Sequence, residues 1–177
     1  RYTTSHPIEF TDDIIEVYQD TPELVSFLHL PVQSGSDKIL SMMKRPHTAL
    51  EYKSKIRKLK AVRPDILISS DFIVGFPGET DEDFAQTAAF IQSIGFAGGH
   101  VFTYSPRPGT AAFKMKDRVP VQTAKARNAA LRTIFVDAGR EYREQFIGTN
   151  KKVLWESSRP NQDGGRVLSG LTDNYIR

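Results

Sequence analysis

The sequence predicts an α/β fold in which parallel βα units are followed by a small antiparallel β element. Three observations lead there. Apolar strand-like runs at Phe27-Leu-His-Leu-Pro-Val32, Ile66 to Val74 and His100 to Tyr104 alternate with helical patterns at intervals of roughly 30 to 40 residues, the spacing of βαβ units. The middle run, Ile66-Leu-Ile-Ser-Ser-Asp-Phe-Ile-Val74, is rich in β-branched residues, as expected of a strand buried on both faces of a parallel sheet. From Lys151 the pattern changes to two short runs, Lys151-Lys-Val-Leu-Trp-Glu156 and Arg166-Val-Leu-Ser-Gly170, around a turn-rich loop from Ser157 to Gly165.

Taken in order, Thr11-Asp-Asp-Ile and Thr21-Pro-Glu-Leu each read as a helix start, with a capping hydroxyl and then acidic residues or proline in the first turn. After Gln33-Ser-Gly-Ser36 a short helix runs through Ile39, Leu40 and Met43 and breaks at Pro46. Thr48-Ala-Leu-Glu51 fits a capping box, and Tyr52, Ile56, Leu59 and Val62 follow at helical spacing up to Arg63-Pro64. Thr80 caps the next helix, whose first turn holds Asp81, Glu82 and Asp83 and whose buried stripe is Phe84, Ala88, Ile91 and Ile94; Gly95 ends it. Ser105-Pro-Arg-Pro-Gly-Thr110 reads as a rigid loop. A long helix is expected from Val121 to Ile147, with Leu131, Phe135, Ala138, Tyr142 and Phe146 along one side and Gly148 closing it.

At 177 residues and 39% hydrophobic content the chain suits one compact domain with a small appendage. No stretch approaches the roughly 18 apolar residues that span a bilayer, and Arg1-Tyr-Thr-Thr-Ser5 lacks the apolar core of a signal peptide, so the chain reads as cytoplasmic. Both ends fall inside extended patterns, as in an excerpt of a longer protein. Zero cysteines exclude disulfides, thiolate metal sites and a cysteine nucleophile within this chain. The four histidines include no H-x-x-x-H pair and none stands at catalytic spacing from a partner, so no dedicated metal site is expected. The net charge of +3 is concentrated between Lys38 and Arg63, where six lysines and three arginines meet one acid, Glu51. That segment is either a phosphate-facing surface or an ordinary solvated helix face.

In doubly wound sheets and barrels alike, ligands sit at the carboxyl ends of the strands, so Ser5, Gln33, Asp71, Gly75 and Tyr104 should gather on one rim. Asp71 lies in an apolar strand, where a carboxylate needs a dedicated partner. Such a partner is a cis-diol such as ribose, or backbone N–H groups at the strand ends. Gly75-Phe-Pro-Gly78 permits close backbone approach to a flat or anionic ligand, and equally makes a tight βα turn. Gln33 and Ser34 could bond hydroxyls or a carboxylate, or serve the turn. Arg45 either folds back as a bidentate carboxylate clamp or remains one more exposed cation. Glu79 and Asp81 to Asp83 are explained by their place at a helix start.

His29-Leu-Pro-Val-Gln-Ser-Gly-Ser-Asp37, Met43-Lys-Arg45, Asp71-Phe-Ile-Val-Gly-Phe-Pro-Gly-Glu-Thr80 and Tyr104-Ser-Pro-Arg-Pro-Gly-Thr110 together resemble the radical S-adenosylmethionine tRNA methylthiotransferases. These enzymes add a methylthio group to carbon 2 of a modified adenosine beside the anticodon. Up to Glu79 the wording is most similar to the MiaB-like branch, acting on isopentenyl-adenosine. From Gly99 it is more similar to the MtaB-like branch, acting on threonylcarbamoyl-adenosine. The resemblance implies that residues 1–148 are the C-terminal part of an incomplete TIM-like radical SAM barrel and 149–177 a truncated TRAM-type RNA-binding domain. It further implies that Gln33 and Asp71 hold the ribose of S-adenosylmethionine and Arg45 its carboxylate, with Ser34 also among the cofactor-binding residues. The adenine would lie on the backbone around Ile73 and Phe102 to Tyr104, with Gly75 also among the cofactor-binding residues.

Members of this family carry a Cys-x-x-x-Cys-x-x-Cys loop and three further cysteines for two [4Fe-4S] clusters. None of these ligands is in this chain. The expected partners are therefore the tRNA anticodon stem-loop and the missing N-terminal half of the parent enzyme, and self-association would be another way to cover a half barrel's open edges. Two rivals remain at this point: an RNA-binding module without chemistry, and a barrel aldolase or hydrolase, which would need a lysine or acid pair at the strand ends.

Overall fold

The computed structural model describes residue 2 and residues 4–177, so the extended pattern read at residues 1–5 lies partly outside the described residues. Three strands, β1 (Phe27–His29), β2 (Leu67–Val74) and β3 (Gly98–Thr103), form a parallel sheet in the order β1-β2-β3. The helices are α1 (Asp12–Asp20), α2 (Asp37–Met42), α3 (Ala49–Val62), α4 (Asp81–Ile94) and α5 (Val121–Glu144). A two-stranded antiparallel sheet of β4 (Val153–Pro160) and β5 (Arg166–Thr172) completes the described chain.

The helices cover one face of the parallel sheet. Leu28, Ile68, Phe72 and Val74 point into that face and join Tyr52, Ile56, Leu59, Phe90, Ile91, Phe96, Leu131 and Phe135 in one buried cluster. Gly99 fits there because a Cβ at its position would lie 2.5 Å from the Phe135 ring. The other face of the sheet is open, with His29, Asp71 and Ile73 half-buried and His100 and Phe102 exposed. β2 is thus covered on one face only, and the β-branched run that suggested two-sided burial has no closed barrel around it.

The capping box at Thr48/Glu51 and the Thr80 cap form as the sequence predicts, with Thr48 accepting from the Glu51 N–H and Thr80 from the Asp83 N–H, and the Asp83 side chain completes a second box by accepting from the Thr80 N–H. Gly95 closes α4 in the left-handed region. Other expectations are corrected. Thr21-Pro-Glu-Leu makes a turn: the Leu24 N–H closes back on the Thr21 carbonyl, Pro22 offers no N–H to the Tyr18 carbonyl, and the Arg63 guanidinium donates to the carbonyls of Tyr18, Thr21 and Leu24. The Thr11 hydroxyl bonds the Asp13 carboxylate and caps no N–H.

The first strand stops at His29 where a run to Val32 was expected. Pro31 has no N–H, and the Ser70 hydroxyl replaces a ladder bond, accepting from the Val32 N–H and donating to the Leu30 carbonyl. Pairing resumes at Gln33, which accepts from the Ile73 N–H and donates to the Asp71 carbonyl. α5 ends at Glu144, three residues short of the expected end. β4 continues through Pro160, so the connection to β5 is confined to residues 161–165, where Asn161 Oδ1 accepts from the N–H groups of Asp163 and Gly165.

Candidate functional site

Parallel register brings the predicted residues together on the open face and its carboxyl rim. Asp71 pairs with His100 and Ile73 with Phe102 across β2 and β3, while Gln33 bridges beside Phe72. Gly75 and Tyr104 close the ends of these strands, Tyr104 donating its N–H to the Val74 carbonyl. Gln33 takes φ of 79°, uncommon for a side-chain-bearing residue and a kind of strain that concentrates at functional sites. Arg45 does fold back to this rim: its Nη2 donates to the Pro31 carbonyl at 2.6 Å, and its Nε is buried without a partner. The Tyr104 hydroxyl is likewise buried and unpartnered.

Two expected members stand apart. Ser34 is buried, with its oxygen accepting from the Ser36 N–H at 3.1 Å and facing Thr87 Oγ1 at 3.3 Å, so its side chain builds the loop and does not face the rim. Ser5 sits in an irregular segment outside any strand and bonds the His6 carbonyl.

Asp71 finds its partners in two imidazoles. Its Oδ1 lies 3.1 Å from His100 Nδ1 and 3.5 Å from His29 Nε2, while His29 Nδ1 meets Ser69 Oγ at 2.8 Å. No backbone N–H bond to this carboxylate occurs among the described residues, so it does not tie strand ends together. One ligand atom from each of His29, Asp71 and His100 lies within 4.8 Å of the others, a geometry that could hold a metal ion. Sequence spacing concealed this cluster because each member comes from a different strand.

Glu79, read from the sequence as one acid of a helix start, has a different role. It is buried, accepts from the Gly75 N–H at 2.7 Å and pairs with Arg127 of α5 at 2.6 Å. Burial pushes its carboxyl above the ordinary range, against the opposing pull of the Gly75 and Arg127 bonds. Ala124, one helical turn before Arg127, packs under Gly75, where a Cβ would come within 2.6 Å of the Ala124 methyl. The turn at the end of β2 is therefore fixed from α5 by a contact and an ion pair.

The basic segment resolves mostly into internal work. Lys38 pairs with Asp83 and Lys58 with Asp12; Lys55, Lys60, Arg45 and Arg63 donate to backbone carbonyls. Lys44, Lys53 and Arg57 are left without a hydrogen-bonded or ionic partner among the described residues.

Comparison with known proteins follows the same lines. The radical SAM superfamily model matches residues 2–91, which carry both rim loops. The chain belongs to the radical SAM superfamily. Enzymes of this superfamily use S-adenosylmethionine and an iron–sulfur cluster. The chain is also 59% identical over 174 residues to the tRNA-2-methylthio-N(6)-dimethylallyladenosine synthase of Aeromonas salmonicida and 58% identical over 175 residues to that of Yersinia pestis strain Pestoides F. Each alignment covers 98% of this radical SAM chain and 36% of the relative, so the chain spans about a third of their length. Both halves of the sequence align to the same dimethylallyl-type synthases, and the division suggested by the wording after Gly99 does not separate them. The coproporphyrinogen III oxidase of Escherichia coli, a radical SAM enzyme, superposes with a TM-score of 0.62 at 19% identity over 77% of this chain and 32% of its own, a likeness of fold.

Proposed function

We propose that this chain supplies the S-adenosylmethionine-holding part of a tRNA methylthiotransferase that modifies carbon 2 of an N(6)-dimethylallyladenosine beside the anticodon. Its identity to the two synthases supports the reaction class, and the observation that carries the site is the convergence of Gln33, Asp71, Ile73 and Phe102 on adjacent rungs of one open face.

The residues present suit that cofactor. Asp71 keeps Oδ2 without a partner among the described residues, and a carboxylate oxygen accepts well from ribose hydroxyls. The partnerless Nε of Arg45 and hydroxyl of Tyr104 are buried donors at the rim, where an unmet polar group is costly until a polar ligand arrives. Arg45 would hold the carboxylate, Gln33 and Asp71 the ribose, and the backbone of Ile73 and Phe102 to Tyr104 the adenine. Gly75, at φ of 74°, keeps the strand end free of side-chain atoms. The bound cofactor, with a cluster, supplies radical chemistry; the residues here bind and orient it. A cysteine-free chain holds no thiolate for a cluster, so those ligands belong to other parts of a longer protein, and this chain is inactive alone.

The β4–β5 hairpin would contribute to RNA contact as the start of a TRAM-type domain. Trp155 is largely exposed there, an aromatic ring suited to stacking on a base. The reading is tested by replacing the matching segment of the Aeromonas salmonicida synthase with this chain and measuring the methylthiolated nucleoside in tRNA. Activity is expected in the chimera and its loss with Asp71→Ala; a folded chimera with no methylthiolation would refute the assignment.

A further inference from the structure

We propose that His29, Asp71 and His100 form a binding site for a divalent first-row transition-metal ion. Two histidines and one carboxylate are a common ligand set for such ions, with further coordination positions left for water or a ligand. In a tetrahedral site with ligands about 2.0–2.1 Å from the ion, donor atoms sit about 3.3–3.4 Å apart. The observed separations from Asp71 Oδ1, 3.1 Å to His100 Nδ1 and 3.5 Å to His29 Nε2, bracket that edge. All three ligand atoms lie within 4.8 Å of one another.

A second observation points the same way. His29 Nδ1 is engaged by Ser69 Oγ at 2.8 Å, which fixes the ring and turns Nε2 toward Asp71. Metal-bound histidines show this arrangement, the nitrogen away from the ion being held by an outer partner. With Nδ1 as the donor to Ser69, the Nε2 lone pair faces the carboxylate oxygen, and a cation between them removes the repulsion. The ligands also stand on paired strands, His29 opposite Ser69 and Asp71 opposite His100, so little ordering is needed on binding. The face is open to entry, since the His100 side chain is 70% exposed.

The site shares Asp71 with the nucleoside site proposed above, so the two ligands exclude each other, but metal binding does not depend on that reading. The test is calorimetric titration of the chain with Zn2+ alone, in nucleoside-free buffer, supported by the visible absorption of Co2+. One ion per chain is expected. His100→Ala, on an exposed side chain, and Ser69→Ala, which removes the outer partner, should each weaken Zn2+ by about 10- to 100-fold. His6→Ala should leave the affinity unchanged, and far-UV circular dichroism confirms that each variant is folded. Absence of Zn2+ binding, or an affinity unaltered in folded His100→Ala and Asp71→Asn, would overturn the proposal and leave a His–Asp–His hydrogen-bonded cluster.

Discussion

His47 shows how single residues at the rim set the pH response. It is buried, its ring packs edge-on against His6 at 5.3 Å, and its pKa falls from 6.5 to about 4, first through burial and then through the charges of Arg45 and His6. A folded-state pKa below the unfolded value means that the unfolded chain binds the extra proton between those limits. Stability contributed by neutral His47 is therefore present above pH 6.5 and lost as pH falls toward 4, by up to about 3 kcal/mol. Urea melts of wild type and His47→Gln between pH 7 and pH 4 should show the difference between them shrinking as the pH drops. The strained Gln33 makes a different prediction. Gln33→Gly should hold or raise the urea midpoint while weakening nucleoside binding, because glycine relieves positive φ but removes the amide.

The same scale shows why some site residues were legible and others not. Asp71 stands out in sequence because a carboxylate within an apolar run needs a partner, whereas Gln33 and Arg45 read equally as a turn residue and an exposed cation, and only the family resemblance gave them tasks. Ser34 misled because a serine in a turn looks alike whether its hydroxyl faces a ligand or Thr87. Glu79 looked like one acid among several at a helix start, and only packing reveals that Arg127, far along the chain, neutralises it.

Among the elements, the two capped helices were readable because capping is local chemistry, and the end of β1 was not. The interruption there depends on Ser70 of the neighbouring strand entering the ladder, which no local pattern encodes. The coupling of α5 to the rim turn yields two expectations. Arg127→Met leaves a buried carboxylate unpaired and should lower unfolding free energy by about 3–5 kcal/mol in chemical denaturation. Gly75→Ala should destabilise far more than Gly109→Ala. Both positions have positive φ, but a Cβ at Gly75 meets Ala124 and one at Gly109 meets nothing within 4 Å.

For the whole molecule, the parallel sheet was visible from strand and helix alternation, whereas the covering of one face only was not. Burial depends on what covers a strand, and the run Ile66 to Val74 reads the same with or without a cover. That open face also explains why candidate ligand groups stay accessible, with β1-β2-β3 holding them in register. No helix among the described residues is long and apolar enough to cross a membrane. The β4–β5 hairpin is exposed throughout β4 and over the first three residues of β5, and is anchored by Lys151 to Asp65 and by Asn174 to the Tyr142 hydroxyl. Hydrogen exchange should accordingly be fast in residues 153–168 and slow in β2.

The central claim is that the open face holds the adenosyl part of S-adenosylmethionine, and calorimetry with S-adenosylhomocysteine in metal-free buffer tests it most directly. One molecule per chain should bind, and Asp71→Ala should weaken it by about 10- to 150-fold, as expected for lost hydrogen bonds to a charged group. No binding by the folded chain, or an affinity that Asp71→Ala leaves unchanged, would contradict it.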